Sequence, residues 1–463
     1  MISETIAQRV LQAALSTGGD FAEIYCEDSE STRLAMTDGR VENASYSRSR
    51  GVGIRVLCGF RSAYAYTADV TESALLATAK AAAAGLRQEQ AGNTALGFRA
   101  VCYANREETL FSPVTNDMRV KLLKEMYAGA KQFSGEITQV ECGYSDKIQR
   151  VTVVNSNGLW ASTVRPYTRI MVTAVASAGG ETQTGTRSPG FGRGFDVYES
   201  VMTNELGVEA AKTAVTMLHA PECPASLVPV VIDGGFGGVI FHEACGHSLE
   251  ATQVAKGNSE FCGKMGQQIA ASCVTAVDDG TIDGEWGSLR GMDDEGTPTQ
   301  KNILIEKGIL KSYLVDMAGA RRMDHPLTGS SRRQDYSFAP TSRMTNTYIA
   351  PGSDDAEEML RTMGEGLYAK QLGGGSVNPM TGEFNFAVAE GYWVRDGKIV
   401  TPVRGATLIG KGGQTLMRID RVGDRMWMAQ GVCGSQSGGV PVNVGQPRIR
   451  VSEMTVGGKG EKL

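Results

Sequence analysis

Histidine is scarce in this chain, with four among 463 residues, so any that fall close together carry more weight than usual. Paired cysteine motifs are missing as well. The nine cysteines, at 26, 58, 102, 142, 223, 245, 262, 273 and 433, are odd in number, scattered and without a CxxC. That pattern reads as reduced thiols in a cytoplasmic protein and excludes a disulfide scaffold. No apolar run approaches the roughly 18 residues that span a bilayer, so no membrane partner is expected. There is no basic run either, and 46 Lys and Arg against 51 Asp and Glu leave a net charge of −5, too even for a general attraction to nucleic acid. The first residues, MISETIAQRVLQAALSTGG, lack the basic start and apolar core of a signal peptide. Ile6, Val10, Leu11, Ala14 and Leu15 instead share one face of a globular helix closed by Gly18 and Gly19.

What the chain has in surplus is glycine: 58 residues, where an average usage of about 7% gives roughly 32. At 41% hydrophobic and 21% charged it is otherwise an ordinary globular composition, long enough for two or more domains. Residues 21–70 alternate strand-like runs (FAEIYCE, RLAM, VENASYS, GIRVLCG, SAYAYTA) with turn signals such as Asp38-Gly39, which predicts an antiparallel meander. Helices are expected at 71–85, with a capping box at Thr71, after Asn116 and Asp117, and near 199–219. Strands and helices in runs, without strict βαβ alternation, argue for an α+β fold. Pro221 and Pro224 mark a break. The expected organisation is therefore two domains: an α+β domain at 1–222, with an antiparallel sheet and long helices, and a glycine-rich, β-rich domain at 223–463. The glycines divide accordingly, 20 before residue 223 and 38 from there on. Hairpins are expected there at Lys307-Gly308 and Asp396-Gly397.

The stretch SLVPVVIDGGFGGVIFHEACGHSLE reads as an apolar strand at 227–232, a glycine turn, and a helix with two of the four histidines. His242, Glu243 and His247 form HExxxH. Two imidazoles and an adjacent carboxylate suit a catalytic zinc site with a general base. The spacing is unusual, because residues i and i+5 of an α-helix point about 140° apart, against about 40° for i and i+4. The helix must be distorted for both histidines to meet one ion; a π-type bulge does this, and Gly246 lowers its cost. A third ligand is needed from elsewhere. His219 and His325 are possible, although one lies at a helix end and the other in an Asp-His-Pro turn. Cys433, in MAQGVCGSQSGG, is the better candidate, since an apolar strand ends there between glycines that permit close approach. Cys245, inside the motif, faces away from a shared metal and reads as packing.

These residues resemble the TldD/PmbA family, and specifically its TldD-type, metal-bearing subunit. The resemblance runs through HEACGH, then DDEGTPTQKNILIEKGILKSYLVDMAGARRM at 293–323, TGSSRRQDY and RMTNTYIAPG at 328–352, and GVCGSQSGGVPVNVGQPRIRVSEMTVGG near the end. It covers most of 225–460; the first half matches only in layout. The resemblance implies a zinc metallopeptidase in which His242, His247 and Cys433 hold Zn2+ and Glu243 is the catalytic base. It implies small or unfolded peptides as substrates and a homodimer, or a heterodimer with a PmbA-type homologue, around an internal chamber. A sequence-tolerant enzyme of this kind would bind extended chains by strand addition at glycine-bordered edges. Arg332, Arg333, Arg343 and Asn346 lie in family-like segments and read as solvated loop positions.

Two rival readings fail or stand aside. GATLIGKGG at 405–413 matches a phosphate-binding GxxxxGK but has Gly412 where the magnesium-holding Ser or Thr belongs, and the dinucleotide pattern from Gly235 has Ile240 where glycine is required. The other alternative is a non-catalytic peptide-binding or regulatory subunit, against which the intact His242, Glu243, His247 and Cys433 argue.

Overall fold

The computed structural model describes residues 2–86, 97–103, 111, 113–378 and 380–461. The chain is mixed α and β and strand-rich. Its first half is built on one sheet, whose order from one edge is Arg61–Thr67, Arg40–Cys58, Phe21–Thr37, Ile137–Asn155, Leu159–Ala178 and Arg99–Cys102. The neighbours are antiparallel except the last, which runs parallel to Leu159–Ala178, so the expected antiparallel sheet has a parallel edge. The expected meander is also simpler than its five runs suggest. FAEIYCE and RLAM belong to one strand of 17 residues, and VENASYS and GIRVLCG to one of 19. The polar residues between the runs stay in the sheet because one face there is not packed against apolar neighbours.

Alternation along Phe21–Thr37 explains how this sheet is covered. The even positions Ala22, Ile24 and Cys26 lie under helices Glu4–Leu15 and Glu72–Ala84, and Leu34 and Met36 under Asn116–Phe133 and Thr203–Leu218. Thr71 is the N-cap of the second helix, but its hydroxyl makes no cap bond; position N3 is Ala74, so the expected capping box has no carboxylate partner. The odd positions face the second half of the chain. Glu23 bonds Arg55 at 2.9 Å and Arg333 at 2.7 Å, Arg165 bonds Asp294 at 2.6 Å, and the Arg333 guanidinium lies 4.1 Å from the Tyr25 ring centre.

The second half contains a small closed barrel. Strands Gly366–Val377, Ser226–Ile232, Ile449–Gly457, Thr407–Lys411 and Glu383–Arg395 pair in that order, and the last pairs back to the first. A six-stranded sheet lies beside it, ending in Asn346–Ile349, Gly438–Gln446 and the edge strand Trp427–Ser435. Lys307-Gly308 and Asp396-Gly397 close hairpins, with positive φ at all four residues. Barrel residues such as Phe384, Phe386 and Leu408 share one core with Phe241, Ala244, Cys245 and Leu249 of the histidine-bearing segment. No helix among the described residues is long and apolar enough to cross a membrane.

Candidate metal centre

Strand Ser226–Ile232 delivers the chain to Gly234–Gly238, and the local turn there depends on missing side chains. A Cβ on Gly238 would stand 2.6 Å from the Gly445 carbonyl oxygen, and one on Gly237 2.8 Å from Ile232. The turn is thereby pressed against strand Gly438–Gln446, the partner of the strand that carries Cys433. After three α-helical residues, Val239–Phe241, the backbone widens into a π turn over His242–Gly246. This is the distortion that brings residues five apart to one side of a helix. Glycines make room for it: a Cβ on Gly246 would meet Met344 Sδ at 2.2 Å, and one on Gly412 would meet the Ala244 carbonyl at 2.4 Å. Gly412, in the sequence that imitated a phosphate loop, thus serves to pack the π turn.

The imidazoles of His242 and His247 stand edge to face, ring centres 5.1 Å apart. Cys433 Sγ lies 3.3 Å from His247 Nε2, and one donor atom from each of His242, His247 and Cys433 falls within 4.8 Å of the others. His219 bonds Glu136 at 2.9 Å on the surface and His325 bonds the Pro326 carbonyl at 2.8 Å; neither joins this group. Cys245 is buried in the core, and burial pushes its thiol up. Glu243 is partly exposed, with Oε2 3.7 Å from His247 Nε2.

The electrostatics favour an anionic sulfur. Burial would raise the Cys433 pKa, but the charge of His242 and hydrogen bonding to both imidazoles pull it down to about 3. Burial would lower the His247 pKa, yet Glu250 and Cys433 raise it well above the ordinary imidazole value. Both shifts describe one thing, a pocket built for a thiolate beside positive charge. His242 Nδ1 is buried without a hydrogen-bond partner. Two imidazoles, one of them with an orphaned ring nitrogen, and a thiolate fit a divalent metal ion taking nitrogen and sulfur donors.

Sequence reasoning passed over Glu250, whose Oε2 lies 3.1 Å from His247 Nδ1. It fixes which ring nitrogen of His247 is free to bind a metal; a carboxylate three residues after the second histidine was the available signal. The four solvated-loop readings are corrected. Arg332, Arg333, Arg343 and Asn346 are each at most 3% exposed, and each is bonded by groups outside its own loop. Arg343 donates to the Cys433 carbonyl, to Ser437 Oγ at 2.8 Å and to the Gly438 carbonyl at 2.9 Å, so it ties down the hairpin bearing the thiol. Trp286 Nε1 donates to the Gly431 carbonyl at 2.9 Å. Side chains from elsewhere in the chain thus already bond the carbonyls of Gly431 and Cys433 on strand Trp427–Ser435.

Residues 22–85, 110–218 and 224–458 match, in that order, family profiles described as PmbA/TldA metallopeptidase domain 1, central domain and C-terminal domain. A metalloprotease TldD homolog from Haemophilus influenzae is 35% identical over 450 residues, covering 95% of this chain and 93% of the relative. A metalloprotease from Methanocaldococcus jannaschii is 31% identical over 438 residues, covering 93% and 96%. Among solved structures, a proposed modulator of a DNA gyrase from Thermotoga maritima superposes with a TM-score of 0.79 at 21% identity, over 98% of this chain and 100% of that one. TldE from Thermococcus kodakarensis gives 0.75 at 18%, over 95% and 97%. At those identities the two structures speak for the fold alone, whereas the profiles and the relatives above 30% speak for descent: this chain belongs to the PmbA/TldD family of metallopeptidases.

Proposed function

We propose that the chain is a zinc-dependent peptidase that hydrolyses peptide bonds in small or unfolded peptides, with His242, His247 and Cys433 as the metal ligands and Glu243 as the general base. The observation that carries this reading is the convergence of three donor atoms within 4.8 Å, with Glu243 3.7 Å from one of them and partly open to solvent. Zinc would supply Lewis acidity and lower the pKa of a water to about 7. Glu243 accepts the proton of the attacking water and returns it to the leaving amine, two steps that need one carboxylate within reach of both positions. Glu250 holds His247 in the tautomer that leaves Nε2 free, and Arg343 holds the Cys433 backbone so that the thiolate keeps its place. Extended peptides would bind largely through their backbones, and the active form would pair two such chains, or this one with a metal-free relative.

The test is bound metal and cleavage of an unstructured peptide, compared between the wild type and Glu243→Ala. Metal in both and cleavage only in the wild type is the expected result. Equal cleavage in both would remove Glu243 from the mechanism, and a metal-free, inactive wild type would favour the non-catalytic peptide-binding subunit.

A further inference from the structure

On the reverse face of the Cys433 hairpin, a cleft of about 710 Å³ separates the two halves of the molecule. Its floor is the odd face of the first sheet. In register across the strands, Ser31 sits between Ser47 and Lys147, and Arg33 sits between Ser45 and Ser145. Residues opposite one another on neighbouring strands share a face, so these six side chains form one surface, about 10 Å wide at the ordinary strand spacing. Its roof is Val432 and Pro441, opposite each other on the hairpin, with Trp286 at the side. Val432 is 61% exposed while Cys433 beside it is 4% exposed, as consecutive strand residues on opposite faces must be.

A sheet face turned toward another part of its own chain is normally apolar, as the even face is at Ala22, Ile24, Cys26, Leu34 and Met36. Here it is paved with small hydroxyls, which leave space and offer both donors and acceptors without demanding a charged partner. The acidic groups lining the cleft are already committed. Glu27 accepts from Gln149 at 3.1 Å and from the Tyr336 amide at 3.0 Å, Asp146 pairs with Arg119 at 2.8 Å, and Asp335 accepts from the Ser337 amide at 2.8 Å. Of the lining cations, Lys147 stands 3.5 Å from Glu27, and Arg169 bonds Ser188 at 2.8 Å. The exposed side chain of Arg33 makes no hydrogen bond or ion pair among the described residues.

We infer that this cleft is a second peptide site, distinct from the metal centre, which holds an acidic stretch of an unfolded chain: the serines bond its backbone and Arg33 pairs with its carboxylates. It rests on the peptidase reading for the identity of its ligand. Because the hairpin stands between cleft and metal, the site acts on the capture of long substrates and leaves the chemical step alone.

Two labelled unstructured peptides, one rich in Asp and its counterpart with Lys at the same positions, are titrated against Glu243→Ala and against Glu243→Ala with Arg33→Glu. Their cleavage, and that of a short peptide, is followed with Arg33→Glu alone. The expected result is tighter binding of the acidic peptide to the first form, and a change of about tenfold in the affinity ratio on charge reversal, the scale of a partly solvated ion pair made and broken. KM for the acidic peptide rises in step while kcat and the short peptide are unaffected. Ser47→Phe, which narrows the cleft at an exposed position, weakens both long peptides. An affinity ratio unmoved by Arg33→Glu, with both long peptides also indifferent to Ser47→Phe, overturns the cleft site and leaves the peptidase reading intact. Charge-dependent binding without any cleavage by the wild type overturns the peptidase reading and leaves the cleft.

Discussion

At the scale of single residues, the candidate metal centre shows how much depends on groups that would not touch an ion. Glu250 is 3% exposed and bonded to His247; it stabilises one tautomer and one ring orientation, which are both lost to rotation without it. Glu250→Gln keeps the size and can still bond the ring, but it removes the charge that raises the basicity of His247. Metal affinity should fall by roughly 10- to 100-fold, as measured by competition with a chromophoric chelator, with the circular dichroism of the metal-free protein unchanged. Unaltered affinity would make Glu250 a packing residue. The arginines teach a related lesson. Arg333 and Arg343 lie in polar, turn-like sequence, and nothing local marks them as buried; Arg333 is paid for by Glu23 and Asp294, groups 310 and 39 residues away.

At the scale of elements, the π turn is held by contacts as much as by sequence. Gly238 and Gly246 are both crowded, but by different things. The neighbour of Gly238 is the Gly445 backbone, with three atoms at 2.6 to 2.7 Å, whereas the neighbour of Gly246 is the thioether of Met344. Backbone cannot withdraw and a methionine end can. Gly238→Ala is therefore expected to cost about 3 kcal/mol or more in chemical denaturation and to disturb the metal site, with Gly246→Ala costing about half as much. Met344→Ala should restore part of the loss in Gly246→Ala and none in Gly238→Ala, a coupling that a double-mutant cycle reads directly. The glycine surplus of the second half acquires a meaning from such positions: hairpins use some of it, and close approach of backbone around the metal-bearing segment uses another part.

At the scale of the molecule, the two halves are joined by a small apolar cluster of Tyr25, Val151, Val153 and Ala161 with Met292, and by polar side chains. Beyond the arginine network at Glu23 and Asp294, helix Thr203–Leu218 reaches the barrel where Thr213 donates to Glu390 at 2.9 Å, beside Lys370 at 2.6 Å and Tyr392 at 2.7 Å. Burial alone would raise the Glu390 pKa, but these donors hold it below the ordinary carboxylate value. A carboxyl depressed on folding adds stability above its unfolded pKa and loses it as pH falls through the folded one. The stability advantage of the wild type over Glu390→Gln, from urea unfolding, should thus be present near pH 7 and shrink below about pH 4. An advantage that is constant across that range would show that Glu390 contributes only its shape.

The sequence by itself determined whatever depends on neighbours along the chain. HExxxH could not bind one ion on a regular α-helix, and that mismatch of five residues against a 3.6-residue turn foretold the π turn at His242–Gly246. The strand and glycine turn before it, the hairpins at Lys307 and Asp396, and the amphipathic helix at Glu4–Leu15 are local in the same sense. The sequence favoured Cys433 over His219 and His325, but its place beside the two histidines was decided only by the tertiary structure, since the thiol lies 3.3 Å from His247 Nε2 across 186 residues, on a strand whose place is set by its sheet. It likewise decided that the serines of Phe21–Thr37 and Arg40–Cys58 continue two long strands where the sequence suggested breaks. Alternation reports that one face of a strand is polar, but whether that face meets solvent, a partner or a cleft depends on what the rest of the chain folds against it.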